Sequence, residues 1–130
     1  MARPASRHPT ELELEILKVV WREGPASVRQ VRDALVPFRD LAYTSVMTIM
    51  TIMTRKGYLR RTKAGAGYVY KAAIKEEKAS RGMLQDIVDR VFAGSAVAVM
   101  QHLLETADLD ADELAQIGQI VNRKAKEQGQ

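Results

Sequence analysis

Cysteine is absent from all 130 residues. Its absence excludes disulfide frameworks, thiolate metal sites and thiol nucleophiles together, and nothing in the composition points to an oxidising compartment. Aromatic residues are scarce, and the only histidines are His8 and His102. His102 and Glu105 fall three residues apart on one helical face, which is an ordinary surface pair, so neither a metal nor a cofactor is expected. Long apolar runs are also missing. The longest charge-free stretches, 41–54 and 91–104, are 14 residues each, short of the roughly 18 to 20 apolar residues that a membrane span needs. Residues 1–9 hold Arg3, Arg7 and His8 but no apolar segment. No signal peptide, no membrane partner and a cytoplasmic location are therefore expected. No glycine-rich loop opens a helix and no serine sits at a strand-to-helix elbow, so the chain reads as a non-enzyme.

Acidic residues are missing from one long stretch. Between Asp40 and Glu76 there is none, while Arg55, Lys56, Arg60, Arg61, Lys63, Lys71 and Lys75 all fall there. Residues 1–73 carry 13 Lys+Arg against 6 Asp+Glu, a net of +7, and residues 74–130 carry 7 against 10, a net of −3. The basic half is where a polyanion can dock, although a solvated basic surface has the same composition.

Helix signals punctuate the first half. Thr10 and Glu13 have capping-box spacing, and Leu12, Ile16, Val19 and Val20 recur helically until Gly24 and Pro25 intervene, predicting a helix over 11–23. Ser27 and Gln30 repeat the box before a short second helix that ends ahead of Pro37. A third helix over 43–56 places Val46, Ile49, Met50 and Met53 on one stripe and closes at Gly57. The period then changes. Residues 58–62 and 68–71 are β-favouring and flank a connection over 63–67 that contains Gly65 and Gly67, which predicts a hairpin with a basic tip. Tyr68 and Tyr70 are both read as structural, and Trp21 as core. Helices return over 75–92, 95–106 and from the Asp110 cap to about Lys126. Their apolar faces, among them Leu84, Ile87, Val91, Leu103, Leu114, Ile117 and Val121, are too many to be buried by three helices alone.

The order helix, helix, helix, hairpin is the plan of a winged helix-turn-helix, with the third helix for the major groove of double-stranded DNA and the hairpin for phosphates. The expected fold class is mainly α (α+β). A flexible arm over 1–9 precedes the winged helix at 10–73 and a three-helix segment at 74–130. Two alternatives stay open: a winged-helix regulator with a small-molecule pocket, and a helical interaction module whose basic hairpin binds an acidic protein or an anionic membrane.

The runs 10–21, 27–31, 39–48 and 55–59, and above all Ala42, Tyr43, Thr44, Val46, Met47 and Thr48, resemble the penicillinase-repressor and methicillin-resistance-repressor family of bacterial winged-helix regulators. The resemblance covers about 10–121. It implies a homodimeric transcriptional repressor that binds an inverted-repeat operator and pairs through its C-terminal helices, with Leu84, Ile87, Val91, Leu103, Leu114, Ile117 and Val121 at the interface. Met47 and Thr48 occupy the positions that the family uses closest to bases, and Thr51 lies on the same face. Hydroxyls there can donate or accept at base edges, while methyls can pack on thymine. Thr44, Ser45, Arg55, Lys56, Arg60, Arg61 and Lys63 are the phosphate candidates. Ile52 stands where the family usually has a basic residue. The antibiotic-resistance members are switched off by proteolysis. By analogy the bond would lie near His102 and Leu103, in place of the relatives' Asn-Phe pair, and the partner would be a sensor-linked protease. The copper-sensing members' cysteine cluster has no counterpart here.

Overall fold

The computed structural model describes residues 8–129. Three helices, α1 (Glu11–Glu23), α2 (Val28–Leu35) and α3 (Tyr43–Lys56), precede a hairpin of β1 (Leu59–Ala64) and β2 (Gly67–Ala72). Then come α4 (Glu76–Val91), α5 (Ala96–Thr106) and α6 (Ala111–Gln128). Helix, helix, helix and wing follow in the expected order.

Local chemistry sets the boundaries. The Thr10 hydroxyl accepts from the Glu13 N–H at 3.2 Å, and Glu13 Oε1 accepts from the Thr10 N–H at 2.9 Å. Ser27 and Gln30 reciprocate in the same way at 3.2 and 2.8 Å. Each box satisfies donors that a helix start leaves without partners. At the end of α3, Gly57 takes φ 88°, a left-handed conformation that lets its N–H return to the last turn.

The core lies between these helices and the wing. Ile16, Leu17 and Val20 of α1 meet Val31 and Leu35 of α2, Val46, Met50 and Met53 of α3, and Leu59 and Tyr70 of the hairpin. Ile49 of the expected stripe and Trp21 pack on this cluster but are only partly buried. The Trp21 indole N–H donates to the Ile74 carbonyl at 3.0 Å, tying α1 to the segment that enters α4. Glu13 is also inside, at 4% exposure, and its second oxygen accepts from Lys56 Nζ at 2.9 Å.

The hairpin is tighter than expected. Its strands run on to Ala64 and Gly67, which pair with each other, so Lys63 is a strand residue opposite Tyr68 and not part of a five-residue tip. Only Gly65 and Ala66 form the turn. Gly65 has φ 61° and Ala66 keeps a negative φ, the pattern of a II′ turn whose twist suits paired strands. A further pairing had no sequence signal: Ala26, between α1 and α2, forms an isolated antiparallel bridge with Tyr70 through hydrogen bonds of 2.9 and 2.8 Å.

The chain divides into two compact units, one ending at Asp86 and the other beginning at Ile87, so the division falls within α4, beyond the expected 73/74 boundary. Residues 1–7 of the expected arm lie outside the described residues. Pro9 is buried and His8 Nε2 lies 3.2 Å from Asp86 Oδ2, so these last two residues of the expected arm belong to the first unit. In the second unit α5 and α6 bury no residue. Among the described residues no single helix is long and apolar enough to cross a membrane.

Two predictions concern the first unit. Glu13→Ala removes both a capping acceptor and an ion-pair partner, and should lower unfolding free energy by about 2 kcal/mol. Urea titration followed by Trp21 fluorescence reads the change. Burial first, then the Glu13 carboxylate, raises the pKa of the Tyr58 phenol from its usual 10.0, with Lys56 offsetting part. The neutral phenol is thus favoured in the folded state, so its contribution is complete below about pH 10 and is lost as pH rises through the elevated folded value. The urea midpoint of Tyr58→Phe should fall less steeply above pH 10 than that of the parent.

Candidate nucleic-acid interface

Because Val46, Met50 and Met53 turn one side of α3 into the core, the residues between them are turned outward. Met47 is 40% exposed, Thr48 and Arg55 are exposed, and Thr51 and Ile52 are half-buried. These five line one shallow concavity on the outer face of α3. Ile52 is not part of the buried core. Thr44 and Ser45 are exposed in the first turn, where Ala42 provides no side-chain cap, so the first N–H groups of α3 meet no side-chain acceptor.

The threonine hydroxyls are committed within the helix. Thr48 Oγ1 donates to the Thr44 carbonyl at 2.9 Å, and Thr51 Oγ1 donates to the Met47 carbonyl at 2.8 Å. Each hydroxyl keeps its lone pairs and its neighbouring methyl, but its one proton is directed along the helix.

Arg55 and Lys56 end α3 side by side, yet they differ in freedom. Arg55 is exposed, whereas the Lys56 ammonium is held on the buried Glu13 carboxylate, 6.0 Å from the centre of the Tyr58 ring, and its side chain is only 31% exposed. Any anion that reached Lys56 would have to share it with Glu13.

On the wing, Arg60, Arg61 and Lys63 are all exposed, but strand alternation separates them. Arg61 and Lys63 share a face with Tyr70 and Tyr68, while Arg60 lies on the other face opposite Lys71. Two like charges directly opposite on a hairpin repel, which an anion between or beside them relieves. Lys71 and Lys75 line an open concavity with Arg60 and Trp21, a grouping that only the strand register makes visible. Tyr70 is buried as expected of a structural residue. Tyr68, two residues nearer the tip, is 43% exposed and stacks under the Arg61 guanidinium at 4.4 Å. Alternation puts both rings on one face, and the core reaches only the inner one.

The residues expected to make the pairing face are mostly exposed. Leu84, Ile87, Val91, Leu103, Leu114 and Val121 lie open and Ile117 is half-buried. His102 and Leu103 are exposed on α5, with the His102 ring 5.8 Å from that of Phe92. Among the described residues no group of three His, Cys, Asp or Glu side chains could hold a metal ion.

Three comparisons bear on this geometry. A family model described as the penicillinase repressor matches residues 9–123. The chain is 31% identical over 102 residues to the transcriptional regulator BlaI of Mycobacterium tuberculosis, covering 77% of this chain and 74% of that protein. It is 21% identical over 112 residues to the methicillin resistance regulatory protein MecI of Staphylococcus aureus, covering 86% and 91%. Among solved structures it is similar to the Bacillus licheniformis BlaI monomeric form in complex with the blaP half-operator. That match has 25% identity, covers 56% of this chain and 89% of that one, and has a TM-score of 0.48.

The difference between the exposed wing cations and Lys56, which is held on Glu13, can be measured. Arg61→Ala or Lys63→Ala should lower the slope of log affinity against log salt by about 0.9 for any duplex, one phosphate contact each. Lys56→Ala should change that slope less and lower the urea midpoint more, because its charge already neutralises Glu13.

Proposed function

The chain belongs to the penicillinase-repressor family, and on that premise we propose that it is a DNA-binding transcriptional repressor acting in the cytoplasm as a homodimer on an inverted-repeat operator. The observation that carries the reading is the outer face of α3, open beside a stretch of seven cations that contains no acidic residue. A recognition helix needs that combination: side chains free to enter the major groove and a potential that draws the duplex in.

The roles divide by chemistry. Met47, Thr48 and Thr51 face base edges. Thr44, Ser45, Arg55, Arg60, Arg61 and Lys63 contact phosphates, fixing position without specifying sequence. Lys56, whose charge is paired with Glu13, adds less to that potential than the other cations. Repression follows from occupancy, since a promoter covered by the dimer is closed to transcription.

Pairing is supported by the second unit. Helices whose apolar side chains are this exposed leave hydrophobic surface in water, and a second copy supplying the same surface would bury both. The pairing residues of the second unit are Ile87, Val91, Leu103, Leu114, Ile117 and Val121, with Leu84 at the end of the first unit as a further candidate. A two-fold dimer then matches an inverted repeat, with one recognition helix for each half-site. Relief by a sensor-linked protease cutting near His102 and Leu103 is carried by analogy with the family. Leu103 also belongs to the pairing face, so such a cut needs local opening of the dimer.

Selection of duplexes from a random pool at near-physiological salt tests the reading. An inverted repeat should be enriched and should bind at least a hundredfold more tightly than its scramble. Equal binding to both would overturn sequence-specific repression. Ile87→Asp and Ile117→Asp should sediment as monomers and lose most operator affinity, and tight binding by such monomers would remove pairing from the mechanism.

A further inference from the structure

The outer face of α3 is short of donors. Thr48 and Thr51 each give their only hydroxyl proton to a carbonyl one turn back, at 2.9 and 2.8 Å. Between and beside them stand Met47 and Ile52, which have no donor at all. Within the concavity that these four line with Arg55, the guanidinium at one end is the sole cationic donor. What the concavity offers to a base edge is methyl groups, a thioether and hydroxyl lone pairs.

Major-groove edges differ in how they answer such a surface. Thymine presents a C5-methyl beside its O4 acceptor, and its adenine partner presents the N6 amino donor. Guanine presents two acceptors, N7 and O6, which would face lone pairs everywhere except at Arg55. A guanine opposite Thr48 or Thr51 would have to win a hydroxyl proton away from the helix backbone. An A·T pair carries acceptors too, at adenine N7 and thymine O4, but it alone brings a methyl group, which the apolar concavity can receive. Duplex DNA is the occupant that the surroundings favour, because the cations of α3 and the wing flank this face with no acidic residue between Asp40 and Glu76.

From this we infer that the concavity of Met47, Thr48, Thr51, Ile52 and Arg55 is a receptor for the C5-methyl of an operator thymine, and that Thr48 specifies sequence through its methyl group and not by hydroxyl donation. The inference rests on the repressor reading above and deepens it. It also assigns a role to Ile52: its side chain extends the apolar floor of the concavity.

The experiment uses the full chain and the operator obtained by selection. Each dT of a half-site is replaced in turn by dU, which removes the methyl and leaves the base pair intact, and affinity is measured at constant salt. One position per half-site should lose about fourfold, the transfer free energy of one buried methyl-sized group. Thr48→Val keeps the side-chain methyl and replaces the hydroxyl with a second one, and should lose less affinity for the parent operator than Thr48→Ser does. Thr48→Ser keeps the hydroxyl and removes the methyl. It should lose affinity for the dT operator and show no further loss on dU, the coupling expected of two groups in contact. If an operator is enriched but no dU position costs affinity, or if Thr48→Val loses more than Thr48→Ser, the methyl receptor is overturned while the repressor reading stands. If no sequence is enriched, both fall.

Discussion

Glu13 places a buried carboxylate where two elements of the DNA-binding unit meet. One oxygen closes the capping box on Thr10 and so fixes where α1 starts; the other holds Lys56, the last residue of α3. A carboxylate taken out of water is costly unless both oxygens are satisfied. Displacing the end of α3 from the start of α1 would strand that charge. The pitch of α3 against the core is thus held by an electrostatic penalty as well as by the packing of Val46, Met50 and Met53. Tyr58, buried beside the same pair, carries the constraint into the hairpin: its N–H donates to the Met53 carbonyl, and its own carbonyl accepts from Ala73.

The wing is held at a second point. Ala26 and Tyr70 exchange backbone hydrogen bonds across 44 residues of sequence, and the Tyr70 ring fills the core beneath them. An isolated two-stranded hairpin is marginally stable in water. With its inner end anchored in this way, only the tip extends past the core, and there Tyr68 and Arg61 meet as a stacked, solvent-exposed pair. A guanidinium over a ring is restricted in its rotamers, so less freedom would be lost in the phosphate contact proposed for it.

Much of this was legible from residues alone, because the signals for helix boundaries are local. Thr10 with Glu13, Ser27 with Gln30, and Gly57 mark ends through bonds that span three or four residues, and those ends fall where spacing placed them. Facts that depend on distant residues were not legible. Nothing near Lys56 in sequence shows that it is tied to Glu13, 43 positions earlier. The two-residue turn at Gly65 and Ala66 decides that Arg60 faces Lys71 while Arg61 and Lys63 take the opposite side, and a one-residue change of register would exchange those faces. The threonine hydroxyls are an intermediate case. Back-bonding to the preceding turn is a habit of threonine in helices, but composition cannot say whether a proton is used within the helix or offered to a partner.

The two units have opposite needs, and pairing answers both. The first has a closed core, and the contacts proposed between it and DNA are largely ones that salt screens. The second buries nothing on α5 or α6 and keeps its apolar side chains exposed, the surface that the proposed second copy would cover. Association removes that surface, and it also turns the second half-site contact into an intramolecular step at high effective concentration. The proposed phosphate contacts on each protomer would then add to methyl-scale discrimination made twice. A monomer would hold one half-site with little preference, while the dimer multiplies both affinity and selectivity without a new contact on α3. The apolar character of the C-terminal helices is in this sense part of the recognition chemistry, although none of their side chains is proposed to touch a base.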